Sequence, residues 1–481
     1  MTALTALQRF QASLDRPDII EWLREGLIGR GMAFETAFGT QSMLYADHIA
    51  SGRALRQVEA FVMTEILPIY SNSHTEASHC GRVITRMRAE AREIIAQTCG
   101  CGPDCHVLFA GSGATGAITR VIGLLDIPAR RAAGEKVTVL IGPYEHHSNI
   151  LPWRESGAEV IEIGEAVCGG VDMDDLEARL VAAKGTDLIV GSFSAASNVT
   201  GQLTDVTAVT KLLKAHGALS IWDYACGAPH LAMRMDLEGA PIDAIIFSPH
   251  KFAGGPGGTG VALIRDTIVA RQVPAAPGGG TVSFVSPWTQ VYSGRVEARE
   301  EAGTPNVIGD IRAALALMVK TAIGTERLHD REVVLRARAL EAWRDLKGLK
   351  ILGKPEAAAL PIFSFQMFDE AGKQIHPQLI TRMLSDRFGI QARGGCACAG
   401  PYAHRLLEID RAASEALLAR LQAGEELAKP GWTRLDLSWC HDEEDLTRII
   451  DAVTQLSKDA ASMVARYSAD PATARFVPLE G

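Results

Sequence analysis

The chain has no block of basic residues, and its net charge is −9. Nucleic acid is therefore not its expected partner. No apolar run reaches membrane-spanning length, and the N-terminal stretch Met1–Pro17 has no apolar core with a small-residue cleavage site, so neither membrane insertion nor secretion is expected. Internal repeats and low-complexity segments are missing too, which sets aside repeat arrays and compositional linkers. The nine cysteines are an odd number without a repeating framework, which fits a reducing cytoplasm better than a disulfide scaffold. What is left is ordinary for a soluble globular enzyme: 481 residues, 47% hydrophobic and 22% charged, enough for about two to three domains with ample core.

Residues 1–36 read as amphipathic helix, and a polar, turn-like stretch at Tyr70–His79 is a candidate site lining. Nearly continuous apolar runs follow at His106–Ala110, Val137–Ile141, Val160–Ile163, Leu188–Phe193, Leu219–Asp223, Ala244–Phe247 and Gly260–Ile264. Helical stretches alternate with them, as at Ala117–Leu125, Leu176–Ala183 and Val206–His216. Such alternation predicts an α/β fold with a mainly parallel sheet covered on both faces. Its ligand then belongs at the carboxyl ends of the strands. After about residue 270 the pattern changes to a long helical region (Ile311–Trp343) and mixed elements, predicting a smaller α+β domain. The expected division is an N-terminal segment 1–40 packing with the small domain, a large domain 41–310, a small domain 311–466 and a loosely held tail 467–481.

The strand ends carry the chemistry. Lys251 follows the run Ala244–Phe247 and precedes five glycines, Gly254 to Gly260. Burial lowers an ammonium group's pKa, as an amine that attacks an aldehyde requires; the plain alternative is a lysine in a surface turn. Gly111-Ser-Gly-Ala-Thr-Gly116 follows the first run and opens a helix. Its free N–H groups suit a dinucleotide pyrophosphate or a single phosphate. The next strand ends in Gly142-Pro143 without the acidic residue a dinucleotide site needs, which favours the single phosphate. His146 and His147 lie after that strand, Asn198 after the run ending at Phe193, and Asp223 at the end of Leu219–Asp223. A carboxylate buried there needs a cation, such as a protonated pyridine, unless it caps a helix. A phosphate cradle, a histidine, an asparagine, an aspartate and a lysine together match the needs of pyridoxal 5'-phosphate (PLP).

With Leu44-Tyr-Ala-Asp47, Glu145-His-His147, Ser248-Pro-His-Lys251, Glu301-Ala-Gly-Thr-Pro-Asn306 and Arg393-Gly-Gly-Cys-Ala-Cys398 in this order, the chain resembles the class V aminotransferase family over roughly residues 40–460, and within it the cysteine desulfurase/selenocysteine lyase branch. The resemblance implies a fold type I PLP-transferase and a homodimer. It implies Lys251 as the imine lysine, Asp223 as the partner of the pyridine nitrogen, His146 stacked on the ring and Asn198 facing the ring hydroxyl. It gives the phosphate to Gly113, Ala114, Thr115, Ser248 and His250, with Thr281 lent across the dimer interface. Arg434, Arg393 and Asn306 become the candidate substrate-binding residues. Two departures mark a divergent subgroup. Cys226 stands where the family usually has a ring-facing glutamine, and Ala114-Thr115 stands where it often has Thr-Thr.

The loop Arg393–Tyr402 decides the reaction type. The resemblance puts the nucleophilic cysteine at Cys398, with Cys396 close by. Flanking glycines give mobility, and Arg393 would favour a thiolate. The expected reaction removes sulfur from cysteine, or a sulfur or selenium relative, leaving alanine and a persulfide on Cys398, with a sulfur-acceptor protein as further partner. The alternative is a transaminase, epimerase or β-lyase in which Cys398 is structural. Cys99, Cys101 and Cys105 resemble half of a metal cluster, but no second half with suitable spacing exists, so no metal is expected.

Overall fold

The computed structural model describes residues 4–72, 76–396 and 398–479. Three residues of the polar stretch Tyr70–His79, at positions 73–75, lie outside that set. The chain divides into two compact units: Met1–Gly26, Ser51–Ala196 and Thr204–Arg327 form the first, and Leu27–Ala50, Ser197–Leu203 and Leu328–Gly481 the second.

In the first unit, helix α1 (His79–Thr98) leads to strand β1 (Cys105–Phe109), and α2 (Gly113–Leu124) follows it. The expected apolar runs then become β2 (Val137–Ile141), β3 (Glu159–Glu162), β4 (Leu188–Ser194), β5 (Leu219–Asp223), β6 (Ala244–Phe247) and β7 (Val261–Arg265). They form one sheet in the order β1-β7-β6-β5-β4-β2-β3. Strands β6, β5, β4, β2 and β3 pair in parallel, and β7 runs antiparallel to both β6 and β1. Every residue of β2, β6 and β7 is buried, which explains why these strands read as continuous rather than alternating apolar runs. Ile118 and Val121 of α2 pack in one core cluster with Val139, Ile141, Ile221, Ile246 and Ala262. Strand order places the ends of β5 and β6 side by side, with Asp223 in register with Ile246.

The helical region expected at Ile311–Trp343 is two helices, α3 (Val307–Ile323) and Thr325–Trp343. Gly324 separates them at φ +90°, a conformation that stops a helix. The passage between units falls at Arg327/Leu328, not at 310/311, because α3 is buried along its length in the first unit.

The second unit has a four-stranded antiparallel path β8 (Leu349–Ile351), β9 (Ile362–Phe368), β11 (Trp432–Asp436), β10 (Arg393–Gly395), with helices α4 (Pro377–Phe388) and α5 (Glu443–Met463). Trp343, Phe363, Phe365, Met383, Leu435, Ile449 and Val453 form its core. The N-terminal segment is shared: helices Ala6–Leu14 and Ile19–Glu25 belong to the first unit, and residues 27–50 to the second. Helix does not continue to residue 36. Gly29 and Gly31 take positive φ, and a hairpin, Ala33–Thr36 with Gly39–Ser42, follows. The expected loose tail contains a second hairpin, Tyr467–Asp470 with Arg475–Pro478. Only Tyr467 of its first strand is buried and the two residues at the far end are exposed, so the strand carries no periodic apolar signal in the sequence. Among the described residues no helix is long and apolar enough to cross a membrane.

Candidate active site

Lys251 closes a short 3-10 turn, Pro249–Lys251, directly after β6. It is half-buried rather than enclosed. The turn is fixed from below: Lys251 N–H donates to the Ser248 carbonyl at 3.0 Å, and Gly52 N–H donates to the His250 carbonyl at 2.9 Å. Asp223, at the neighbouring end of β5, is 4% exposed. Its Oδ1 accepts the Ala225 N–H at 2.7 Å. Burial pushes the Asp223 carboxyl up from the usual carboxylate range, against the Ala225 hydrogen bond and the nearby Lys251 charge. A carboxylate so placed is stabilised by a cation at the strand ends.

Beside this pair, Ser248 and the start of α2 close on one another. Ala114 N–H donates to Ser248 Oγ at 2.9 Å. Gly113 has φ +61°, and a Cβ built on it would lie 2.9 Å from His250 Cε1 and 3.0 Å from Ser248 Oγ. Only glycine leaves that space open for a ligand. Gly260 allows the same approach from β7, since its Cβ would fall 2.2 Å from the Gly113 carbonyl oxygen. Burial, and then the Lys251 charge, hold the His250 imidazole below its ordinary pKa. Helix start, serine hydroxyl and histidine together make a donor set suited to a phosphate.

His146 caps the turn His147–Asn149. Its Nδ1 accepts the Ser148 N–H at 3.1 Å, so the neutral ring carries its hydrogen on Nε2. Ser148 Oγ lies 3.0 Å from His146 Nδ1 and 2.7 Å from Thr115 Oγ1. Thr115 is exposed, follows Ala114 in the first turn of α2, and joins its hydroxyl to the histidine turn. Behind His146, Glu145 is buried. It accepts from Ser194 N–H and Ser194 Oγ, each at 2.7 Å, and from Asn149 Nδ2. Burial raises its pKa to about 7, and the Asp223 charge adds to the rise.

The first unit therefore brings together Lys251, Asp223, Ser248, His250, Gly113 and Ala114, and joins Thr115 to His146. Cys226 is buried just past β5, on the same strand end as Asp223. Thr281 is buried in its own loop, its hydroxyl donating to the Gly278 carbonyl at 2.7 Å. Asn306 is exposed and caps α3, accepting the Gly309 N–H at 3.2 Å. These donors and charges fit a phosphate-bearing aldehyde with a basic ring nitrogen: an anion cradle, an amine and a buried carboxylate sit at adjacent strand ends.

The remaining sequence candidates belong to the second unit. Arg434 on β11 is 4% exposed. It donates through Nη1 to the Asn198 carbonyl at 2.8 Å and through Nη2 to Asp47 Oδ1 at 2.7 Å. Arg393 directs Nε to Asp47 Oδ2 at 3.0 Å, with more than half of its side chain exposed. Its Nε is thus engaged by Asp47, whereas the sequence pointed it at the cysteine loop. Cys398 is exposed and has φ +54°, a left-handed conformation that costs a non-glycine residue about 1–2 kcal/mol.

Sequence reasoning missed the polar group that supports these arginines. Asp47 bridges both guanidinium groups, and the adjacent His48 directs Nδ1 to Asp436 Oδ2 at 3.0 Å. Both carboxylates sit in apolar contexts, Leu44-Tyr-Ala-Asp47 and Leu435-Asp-Leu437, and an acid buried in such a run signals a cationic partner.

Residues 44–418 match the aminotransferase class-V family. A probable cysteine desulfurase from Halalkalibacterium halodurans is 29% identical over 336 residues, covering 69% of this chain and 78% of that protein. Another from Pyrococcus abyssi is 28% identical over 375 residues, covering 76% and 88%. Among solved structures, an apo cysteine desulfurase from Thermococcus onnurineus shares the fold with TM-score 0.71 at 23% identity, over 86% of this chain and 95% of that one. An Escherichia coli cysteine desulfurase gives TM-score 0.67 at 22% identity, over 94% and 98%. The matched span takes in both the lysine turn and the cysteine loop, and on that span the chain belongs to the aminotransferase class-V family, a family of PLP-dependent enzymes.

Proposed function

We propose that this enzyme removes sulfur from L-cysteine, or from a related sulfur or selenium amino acid, giving alanine and a persulfide on Cys398. The observation that carries the reading is the buried Asp223 carboxylate facing Lys251 beside a cradle that only glycine at 113 leaves open. The names of the relatives support the choice of reaction. Bound PLP supplies an aldehyde for an amine and a protonated ring that accepts the electron pair from the substrate Cα.

In this reading Lys251 Nζ holds the aldehyde and later carries the proton taken from the substrate Cα. Asp223 keeps a negative charge opposite the ring nitrogen, in a site where burial makes that charge effective. His146 covers one ring face and offers Nε2 for proton transfer at the substrate sulfur. Gly113, Ala114, Thr115, Ser248 and His250 hold the phosphate, with Thr281 supplied by a second copy of the chain. Asn198 and Cys226 face the ring hydroxyl. Arg434 and Arg393 receive the substrate carboxylate as a bidentate acceptor, with Asn306 at the rim. Cys398 Sγ, as thiolate, attacks the substrate sulfur. The substrate Cβ–S bond breaks, the sulfur stays on Cys398, and the carbon skeleton leaves as alanine. A cytoplasmic setting keeps such a thiol reduced, and a second protein then accepts the sulfur.

The test is Cys398→Ser, assayed for sulfide and alanine from cysteine under a reductant. The variant is expected to lose release of both by about 100-fold or more, as loss of a covalent nucleophile does. A wild-type enzyme that turns over another amino acid but liberates no sulfur from cysteine would instead establish a transaminase, epimerase or β-lyase.

A further inference from the structure

The loop between α1 and β1 holds three cysteines that the site above does not use. Cys99, the last cap residue of α1, is fully buried, and burial pushes its thiol up to about 12. Cys101 and Cys105 differ from it. Both are partly exposed and free. Cys101 N–H is tied to the Ala96 carbonyl at 2.9 Å, and Cys105 N–H to the Gly102 carbonyl at 3.1 Å. These bonds close the Cys-Gly-Pro-Asp-Cys turn and hold the two cysteines within it, where each thiol shifts the titration of the other.

The charges around the pair are fixed. Cys105 opens β1 in register with Arg265 of β7. Arg265 is 8% exposed. It donates to the Ile242 and Met235 carbonyls at 2.9 and 3.2 Å and pairs with Asp104 and Asp236 at 2.6 and 2.5 Å. Its guanidinium cannot swing away without breaking those bonds. The Cys105 thiol donates to Asp104 Oδ1 at 3.9 Å; burial, and then the Asp104 charge, work against a thiolate. The Cys101 hydrogen bond, the Gly102 backbone and the Arg265 charge prevail, and hold the Cys105 thiol down at about 7. A partner thiol, a fixed cation and partial exposure are the conditions for a nucleophilic cysteine with a resolving neighbour.

We propose that Cys101 and Cys105 form a reactive dithiol that exchanges with low-molecular-weight disulfides and closes to an intramolecular disulfide. The Cys105 thiolate attacks one sulfur of a disulfide RSSR. The S–S bond breaks, and RS⁻ leaves and takes a proton, so that Cys105 carries SR. The Cys101 thiol then gives up its proton and attacks the Cys105 sulfur, expelling the second RS⁻, which takes that proton. Two protein thiols are oxidised by two electrons, and RSSR is reduced to two RSH. The turn sits at the amino end of β1, about 16 Å along the strand from the cradle that follows its carboxyl end, so closing it leaves the cofactor site unaltered.

The holoenzyme carrying Cys398→Ser is incubated with glutathione disulfide, alkylated, digested and mapped by mass. The expected product is a Cys101–Cys105 link with loss of two free thiols, an unchanged visible spectrum, and full reversal by dithiothreitol. In Cys101→Ser the expected product is a glutathione adduct held on Cys105, and in Cys105→Ser neither link nor adduct forms. Free thiols at both positions after treatment, or an adduct on Cys105 that does not close when Cys101 is present, would overturn the proposal. Because Cys398 is absent throughout, neither result depends on the sulfur-transfer reading.

Discussion

The pair His48–Asp436 makes a prediction whose size and pH range both follow from the geometry. Both side chains are nearly sealed from solvent, at 9% and 3% exposure. His48 Nδ1 lies 3.0 Å from Asp436 Oδ2, and Asp436 Oδ1 accepts the Ile49 N–H at 3.3 Å. Burial alone would lower the His48 pKa, but the Asp436 carboxylate, with Cys440, outweighs it and raises the pKa from 6.5 to about 10. The nearby His441 ring goes the other way, held down to about 4 by burial and by the His48 charge. Its Nδ1 accepts the Ser438 N–H at 3.1 Å, and its Nε2 donates to the Tyr45 carbonyl at 2.8 Å, as a neutral ring does. The folded chain thus keeps a proton on His48 that the unfolded chain releases above pH 6.5. The stability this provides is fully present below pH 6.5 and is lost as pH rises through about 10, at up to about 1.4 kcal/mol per pH unit. Its total is about 4–5 kcal/mol, in line with the roughly 3–5 kcal/mol lost when one member of a buried ion pair is removed. His441 titrates the other way and only below pH 6.5, outside this window. The perturbation is Asp436→Asn, and the assay is urea unfolding from pH 7 to 10, followed by the fluorescence of Trp343, Trp432 and Trp439 in the same unit. The variant is expected to lose about 3–5 kcal/mol at pH 7 and to converge on the wild type near pH 10. A deficit under about 1 kcal/mol at pH 7, or one that stays constant across the range, would refute the reasoning.

Two further changes test the site. Asp47→Asn removes the anion shared by Arg434 and Arg393. A lost charge-assisted bond is worth about 1.5–3 kcal/mol, so KM for cysteine should rise about 10- to 100-fold with kcat nearly unchanged and the cofactor spectrum intact; a fall in kcat alone would show that Asp47 acts elsewhere. Gly113→Ala puts a methyl group against His250 and Ser248 at φ +61°. PLP titrated into the apoprotein should bind about 10-fold more weakly or worse, without loss of helical circular dichroism, and unchanged affinity would remove the cradle from this position.

The first unit was legible because its strands are continuously apolar and its chemistry sits where those strands stop. Asp223 ends such a run, and Ser248 and Lys251 lie within four residues after another; parallel pairing then puts the runs' ends on one edge. The second unit was legible only in outline. Helix Arg411–Gln422 has no buried residue and so shows no apolar stripe. In the first unit, by contrast, the hairpin Val282–Val285 with Gln290–Tyr292 is mostly exposed and reads as loop. The division at Arg327/Leu328 follows from the burial of α3 in the first unit, which composition does not carry. Asp47 and Asp436 were hidden for another reason: an acid in an apolar run signals that a cation is near, but pairing across 387 positions, as between Asp47 and Arg434, leaves no local sign of which one.

The most direct measurement of the central claim is the visible spectrum of the purified protein, alone and after cysteine, for the wild type and for Lys251→Ala. Lys251 as the imine lysine requires a wild-type absorbance band that changes on adding cysteine as alanine and sulfide form, and its absence in Lys251→Ala reconstituted with PLP. A band of the same position and intensity in Lys251→Ala, or a wild-type band indifferent to cysteine, would contradict it.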